Sequence, residues 1–135
     1  MEKSQDLIAL IGRIAVAILF VTSGWGKMMD FGGTAGFIAS NGIPLPQVAT
    51  AITIVEELGL GLAIALGWQT RYAAAVIALW LIPTTFLFHN FWSAPADQVM
   101  MQQINFMKNV SIFGAMLLLM AFGPGRYSLD GRGRA

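Results

Sequence analysis

Four long apolar runs, separated by short polar stretches, dominate the chain of 135 residues. They cover approximately residues 7–27, 46–67, 72–88 and 105–122. Each run approaches the ~20 apolar residues that a helix needs to cross a bilayer. The pattern therefore predicts an all-α, integral membrane four-helix bundle that forms one domain over residues 1–135.

The connections between the runs carry turn signals. In the first, "DFGGTAGFIASNGIPLP", residues 34–40 are predicted to form a short interfacial helix that Asn41-Gly42 closes. The sequence "GWQTR" predicts a tight turn between the second and third spans. A longer connection that begins "NFWSAPADQ" leads into the fourth span.

Composition supports a membrane location. Hydrophobic residues make up 56% of the chain and charged residues 11%, against roughly 25% charged in a soluble domain. The lipid bilayer is therefore the first expected partner. The net charge of +1 and the lack of a basic patch predict no nucleic-acid partner.

The chain has no cysteine, and its one histidine is His89. It therefore cannot hold an iron–sulfur cluster, a disulfide, a covalent c-type haem or a bis-histidine haem by itself. No metal site and no covalently held cofactor are expected. Any redox chemistry would come from a partner protein or from a diffusible molecule such as a quinone.

The distribution of basic residues predicts the orientation. The amino end, the second connection and the tail together carry Lys3, Arg13, Arg71, Arg126, Arg132 and Arg134, whereas the opposite side has only Lys27 and Lys108. Because cytoplasmic segments are enriched in Lys and Arg, both termini of this multi-pass protein are predicted to be cytoplasmic.

Two adjacent carboxylates, Glu56 and Glu57, interrupt the second run near its centre. A charged residue there costs about 2.5–3.5 kcal/mol on insertion scales, so something must pair, solvate or use it. Neighbours on a helix diverge by about 100°, so the two side chains cannot share one partner. Small residues lie on the same faces, which predicts close helix contacts beside both carboxylates: Gly61 and Ala65 with Glu57, Gly59 and Ala63 with Glu56.

The rise per residue of a helix places the other polar groups at membrane depths close to those of the two glutamates. Measured from the inner ends of the spans at about 1.5 Å per residue, most of them lie at or above the carboxylates, with Arg13 just below. The predicted small-molecule-binding residues are Glu56, Glu57, Arg13, Lys108, Asn105, Asn109, His89 and Lys27. No catalytic residue is assigned. The preferred pairing is one glutamate with Arg13 and the other with Lys108, and at least one glutamate is predicted to line a cavity that water reaches.

Other interpretations of these residues stay open. Buried ion pairs can simply fix helix register, His89 can bond to the backbone at the interface, and Lys27 can extend to the headgroups.

Several stretches, taken in order, resemble the DoxX family of small four-helix membrane proteins. They are Arg13, "SGWGKMMDF", "NGIPLP", "EELGLGLAIALGWQTR", "HNFW" and "NFMKNVSIFGAMLLLMAFGPGRYSLD". The similarity covers nearly the whole chain. "GPGRYSLD" and the second helix with its two glutamates are its most specific parts, and Arg126 and Asp130 are expected to anchor the inner end of the fourth span.

The resemblance implies a multi-pass protein of the inner (plasma) membrane, and it implies several roles. Related DoxD-type proteins form part of a thiosulfate:quinone oxidoreductase, other DoxX proteins resemble membrane partners of redox enzymes, and distant eukaryotic relatives serve as cargo receptors or assembly chaperones. The leading hypothesis is an accessory or quinone-binding subunit of a membrane oxidoreductase system, with a membrane or soluble redox protein as partner. A non-catalytic scaffold and, less favoured, a minimal carrier are the alternatives, and homo-oligomerisation stays open.

Overall fold

The computed structural model describes residues 3–132, which contain helices and no strand. The α-helices are α1 Lys3–Met29, α2 Phe31–Ser40, α3 Pro46–Leu66, α4 Thr70–Phe88 and α5 Val99–Phe122. All except α2 are long and apolar enough to cross a membrane. The predicted all-α membrane architecture is confirmed, and α2 occupies the place of the expected short helix.

The largest difference from the predicted spans is the start of α5. It begins at Val99, six residues before the predicted residue 105. The added turns contain Gln102 and Gln103, which end the apolar run but are good helix formers. Hydrophobicity therefore locates the part of a helix that suits the lipid, whereas the hydrogen-bonded helix extends beyond it.

Turn chemistry sets the other boundaries. Pro46 begins α3, where a helix needs no N–H donor. Gly67 ends it in a left-handed conformation with φ 66°. A Cβ at position 67 would lie 2.3 Å from the Ser128 Cβ atom. Glycine there allows both the tight turn into α4 and the close passage of the tail.

Helices α1 and α3 form a close pair through two glycines. A Cβ at Gly24 would lie 2.9 Å from the Leu58 Cγ atom, and one at Gly61 would lie 2.9 Å from the Phe20 Cβ atom. The predicted close contact on the face of Glu57 is confirmed, since small residues let helix backbones approach. The corresponding prediction for Gly59 is wrong, because the space beside it is open.

The core lies where α1, α3, α4 and α5 meet. Its buried apolar residues are Ala17, Phe20, Ala63, Ile64, Ala73, Ala74, Ile77, Ala78, Leu81, Ile112 and Met116. Five of these eleven are alanines and six are bulky Ile, Leu, Met or Phe residues, so large side chains of one helix fill the space left by small ones on the next.

Residues 123–132, which we call the tail, close one end of the bundle. The Leu129 N–H donates to the Leu66 carbonyl and the Asp130 N–H to the Gly67 carbonyl, at 3.1 and 2.9 Å. The Arg126 N–H donates to an Asp6 carboxylate oxygen at 3.0 Å. The expectation that Arg126 and Asp130 anchor the fourth span is therefore wrong, because both tie the tail to other helices.

This tail end also carries the start of α1 and the α3–α4 turn, so both ends of the described segment lie on one side of the bundle. Which side faces the cytoplasm stays a prediction, and Arg134, one of the basic residues behind it, lies outside the described residues.

Candidate functional site

The opposite half of the α1–α3 interface holds an ion pair. The Lys27 Nζ atom lies 2.9 and 3.0 Å from the two Glu57 carboxylate oxygens and 2.6 Å from the Ser23 hydroxyl. Ser23 and Lys27 are four residues apart on α1, and therefore on one face. The side chains of Lys27 and Glu57 are 30% and 15% exposed. Lys27 thus neutralises Glu57 and is not free to extend to the headgroups.

Glu56 presents the opposite situation. It is 9% exposed, and neither carboxylate oxygen has a hydrogen-bond partner in the described part of the chain. An ionised carboxylate buried without a partner is costly, and the cost falls when the group gains a donor or a proton. Among the buried predicted site residues, Glu56 is the one whose side chain has no hydrogen-bond partner at all within residues 3–132, whereas Arg13 leaves only its Nε atom unpaired.

The predicted pairing of the glutamates is wrong. The Arg13 Nη1 atom donates to the carbonyls of Ile64 and Ala65 at 3.0 and 2.9 Å, and Nη2 donates to the Tyr127 carbonyl. The Ile64 and Ala65 carbonyls lie about eight residues, or roughly 12 Å, along α3 from the glutamates. Arg13 is therefore a cap for the last turn of α3, where free carbonyls and the helix dipole favour a cation.

Lys108, the other predicted cation, is exposed on α5. No ion pair joins it to a carboxylate within residues 3–132. The reason is geometric: α5 packs mainly with α4, whereas both glutamates lie on α3, which packs mainly with α1. Hydrophobic spacing gives depth along each helix but does not show which helices are neighbours.

The remaining predicted residues belong to the α4–α5 pair. The Asn109 Nδ2 atom donates to the Thr85 hydroxyl at 3.0 Å. The His89 Nδ1 atom lies 2.9 Å from the Gln102 amide oxygen. Asn105 is half-buried and forms no side-chain hydrogen bond among the described residues. The expected single polar column is thus divided between two helix pairs.

Four hydrogen-bonding residues were not predicted from the sequence. Ser23 bonds Lys27, Thr85 bonds Asn109, Gln102 bonds His89 and Asp6 bonds the tail. The spacing of Ser23 and Lys27 was a usable signal. Gln102 was missed because the fourth span was started too late. Asp6 accepts a hydrogen bond from the tail across 120 residues of sequence, and no local sequence pattern predicts such a contact.

At the tail end, by contrast, the acidic side chains have partners. Both oxygens of Asp130 accept hydrogen bonds: one from the Gln69 N–H at 2.9 Å, the other from the N–H and hydroxyl of Thr70 at 2.8 Å each. Partial burial raises the pKa of the Asp130 carboxyl, but the bonds from Thr70 and Gln69 and the charge of Arg13 outweigh it, so this pKa lies below its ordinary value. Asp130 fills the anion-binding start of α4.

The group of Ser23, Lys27, Glu56 and Glu57, which we call the carboxylate cluster, is the candidate site. It offers one free carboxyl group that accepts hydrogen bonds or a proton, on the residue next to the glutamate that the Lys27 ammonium group pairs. No cluster of three or more metal-binding side chains occurs among residues 3–132. An open cavity of about 800 Å³ lies at the tail end and includes neither glutamate, so the predicted water-reachable cavity beside them stays a prediction.

Known proteins with similar sequences match nearly the whole chain. The DoxX family profile matches residues 8–90. The chain is 42% identical over 129 residues to the inner membrane protein YphA of Escherichia coli, covering 96% of this chain and 92% of that protein. It is 41% identical to the inner membrane protein YqjF of the same organism, covering 96% and 95%.

A more distant similarity is to a Surfeit locus protein 4 homolog of Schizosaccharomyces pombe. The two are 27% identical, over 96% of this chain but 38% of that protein. No solved structure matches the chain.

Proposed function

The chain belongs to the DoxX family of inner membrane proteins, and from this premise we propose that it is a ligand-binding membrane subunit of a quinone-linked oxidoreductase system. The observation that carries the proposal is Glu56, a buried carboxyl group without a partner in the described chain. Ionisable residues inside a membrane bundle are rare because they are costly, and their usual justification is function.

The carboxylate cluster suits the two polar ends of a quinone or quinol. A quinol hydroxyl donates a hydrogen bond to the Glu56 carboxylate, and the Lys27 ammonium group, already 2.6 Å from Ser23 and 2.9 Å from Glu57, donates to a quinone carbonyl. Oxidation of a quinol releases two protons and two electrons. Glu56 would take the proton of one hydroxyl and a water molecule or a group of the partner protein that of the other. The partner protein's redox centre would take the two electrons, since this chain has no cysteine.

The pairing of Glu57 with Lys27 supports this assignment of roles. If both glutamates were structural, each would have a cation, whereas only Glu57 has one in the described structure. Lys27 therefore holds α1 against α3, and Glu56 is left free to bind.

Binding of decylubiquinone to the purified protein in lipid nanodiscs tests the proposal. Quenching of tryptophan fluorescence reports binding, and four tryptophans are present. Glu56→Gln should weaken binding of the quinol form roughly tenfold or more, because a hydrogen bond to a charged group is worth about 1.5–3 kcal/mol. The matched control is Asp97→Asn, which removes a carboxylate from an exposed connection. Equal affinity for the two variants would contradict the proposal.

A second candidate function, docking to a larger membrane complex, rests on Lys108. This exposed lysine is the tenth residue of α5, about 14 Å from the start of a helix about 36 Å long. Charged residues at such depth usually face protein or water instead of lipid. A partner helix that carries a carboxylate at the same depth would neutralise it.

The docking role predicts a distinct result. Lys108→Gln should release co-purifying membrane protein in mild detergent, whereas Ser111→Ala, on the same exposed side of α5, should not. Quinol binding should be unchanged in both variants. If Lys108→Gln weakens quinol binding but leaves the complex intact, the two roles have been assigned to the wrong residues.

A further inference from the structure

The cavity at the tail end is not used by the proposed function. Its volume is about 800 Å³, and it is bordered by the start of α1, the start of α4, the end of α5 and the tail. Two arginines, Arg71 and Arg126, and two aspartates, Asp6 and Asp130, contribute to its lining. The cavity is therefore lined by equal numbers of acidic and basic side chains. Which ligand it can bind depends on which of these side chains already form hydrogen bonds within the chain.

The acidic side chains are engaged. Asp130 accepts three hydrogen bonds from Gln69 and Thr70. Asp6 is 4% exposed and accepts the Arg126 N–H. Both carboxylates are thus used by the backbone to hold the tail in place, and the start of α4 is already occupied by an anion from the chain itself.

The basic side chains are much less engaged. Arg71 uses its Nη1 atom to bond the Met120 carbonyl at 2.9 Å. Its guanidinium group lies across Gly123, where an added Cβ would be 3.4 Å from Nη2. The side chain of Arg126 is exposed and forms no hydrogen bond or ion pair within the described residues. The Arg71 guanidinium is therefore held in position and keeps N–H groups for a ligand. Within the described part of the chain, the Arg126 guanidinium is entirely free to bind one.

The surroundings of the cavity indicate its depth in the membrane. Tyr72 and Phe122 border it and are 74% and 75% exposed. Tyrosine is enriched at membrane–water interfaces, so Tyr72, near the start of a spanning helix, indicates that the cavity lies at the level of the lipid headgroups. Guanidinium groups bind phosphate oxygens in a bidentate manner, and more strongly than a lysine does.

We propose that this cavity is a binding site for a phosphate ester, with Arg71 and Arg126 as its cationic ligands. The bound phosphate belongs either to a phospholipid headgroup that enters from the bilayer or to a soluble phosphate ester that enters from the aqueous side. Asp6 and Asp130 act as positioning residues, since they fix the backbone from which Arg126 extends.

Native mass spectrometry and titration in nanodiscs test the site. The lipid probe is phosphatidylglycerol, with a neutral diglucosyl diacylglycerol of the same chains as its control. The soluble probes are glycerol 3-phosphate and inorganic phosphate. Arg126→Gln should weaken binding of the phosphate-bearing probe about tenfold or more, without unfolding the protein, since its side chain has no described partner.

The matched control is Arg132→Gln, which removes an exposed charge from the same tail without touching the cavity. Arg71→Lys retains a charge but loses the bidentate geometry, so it should also weaken binding. Retention of phosphatidylglycerol alone identifies the headgroup as ligand, and retention of glycerol 3-phosphate identifies a soluble ester. If Arg126→Gln and Arg132→Gln bind every probe equally, or if no probe is preferred over the neutral lipid, the site does not exist.

Discussion

Two buried charged side chains, Arg13 and Glu56, lie in the same bundle and differ in how far their surroundings satisfy them. Arg13 is 1% exposed and donates to three backbone carbonyls, so that only its Nε atom lacks a partner among the described residues. Glu56 is 9% exposed, and neither of its oxygens has a partner among residues 3–132. Burial of a charge alone thus does not separate a structural residue from a binding residue; the number of unmet hydrogen bonds does.

The same contrast separates the two ends of the molecule. At the tail end, Arg13, Asp6 and Asp130 connect segments far apart in sequence, and each has its partners within the chain. In the carboxylate cluster, Lys27 satisfies Glu57 and leaves Glu56 incomplete. At the tail end these three side chains hold the fold, whereas the proposed ligand of the carboxylate cluster would supply the partner that Glu56 lacks.

The largest expected effect is at Arg13. Arg13→Met keeps much of the volume but leaves the carbonyls of Ile64, Ala65 and Tyr127 without their donor. The loss should be about 3–5 kcal/mol of unfolding free energy, measured by thermal unfolding in detergent. Arg132→Met, exposed at the same end, is the control. Similar losses for both variants would show that the Arg13 contacts do not stabilise the tail end.

The next effect concerns Lys27 and Glu57. Lys27→Met or Glu57→Gln alone should destabilise the protein by about 1–2 kcal/mol, because each leaves a half-buried charge unpaired. The double variant should cost less than the sum of the two single ones, since no unpaired charge remains. Unfolding in detergent of all four proteins completes the cycle. Strictly additive losses would mean that the two side chains do not interact in the membrane.

A smaller, pH-dependent effect is expected at Asp130. Its folded-state pKa lies below its ordinary value, so its contribution to stability is fully present above the ordinary pKa and is lost as the pH falls through the lowered folded-state value. Acid titration of thermal stability should show a decline at low pH that is absent in Asp130→Asn. An identical acid profile for the wild type and the variant would contradict the role of Asp130 in holding the tail.

The smallest effect on stability is expected at Glu56. Because the carboxylate has no described partner, Glu56→Gln removes no hydrogen bond and should leave the unfolding temperature unchanged or raise it slightly. Glu57→Gln, measured alongside it, should lower that temperature. A larger loss for Glu56→Gln than for Glu57→Gln would reverse the roles assigned to the two glutamates.

The sequence predicted best the features that depend on residues close together along the chain. Runs of apolar residues located α1, α3 and α4 closely, because the bilayer imposes one length on every span, and glycine at position 61 marked a close helix contact. The unusual cost of Glu56 and Glu57 singled them out before any geometry was known.

What the sequence could not provide was the neighbour of each helix. Depth arguments placed Lys108 and Lys27 at plausible heights beside the glutamates, but only the packing of α1 on α3 selects Lys27. The capping of α3 by Arg13 depends on a tail that returns from position 127. Contacts across such sequence distances carry no periodic signal, so they emerge only from the folded chain.

The contrast between Arg13 and Glu56 leads to one decisive measurement on Glu56 itself. Infrared difference spectra, recorded on nanodisc-embedded protein with and without decylubiquinol, report the carboxyl and carboxylate stretching bands of side chains whose hydrogen bonding changes. We expect a carboxyl band that changes on quinol addition, is absent in Glu56→Gln and persists in Glu57→Gln and Asp97→Asn. A difference spectrum that is the same in the wild type and in Glu56→Gln would contradict the assignment of Glu56 as the ligand-binding carboxyl group.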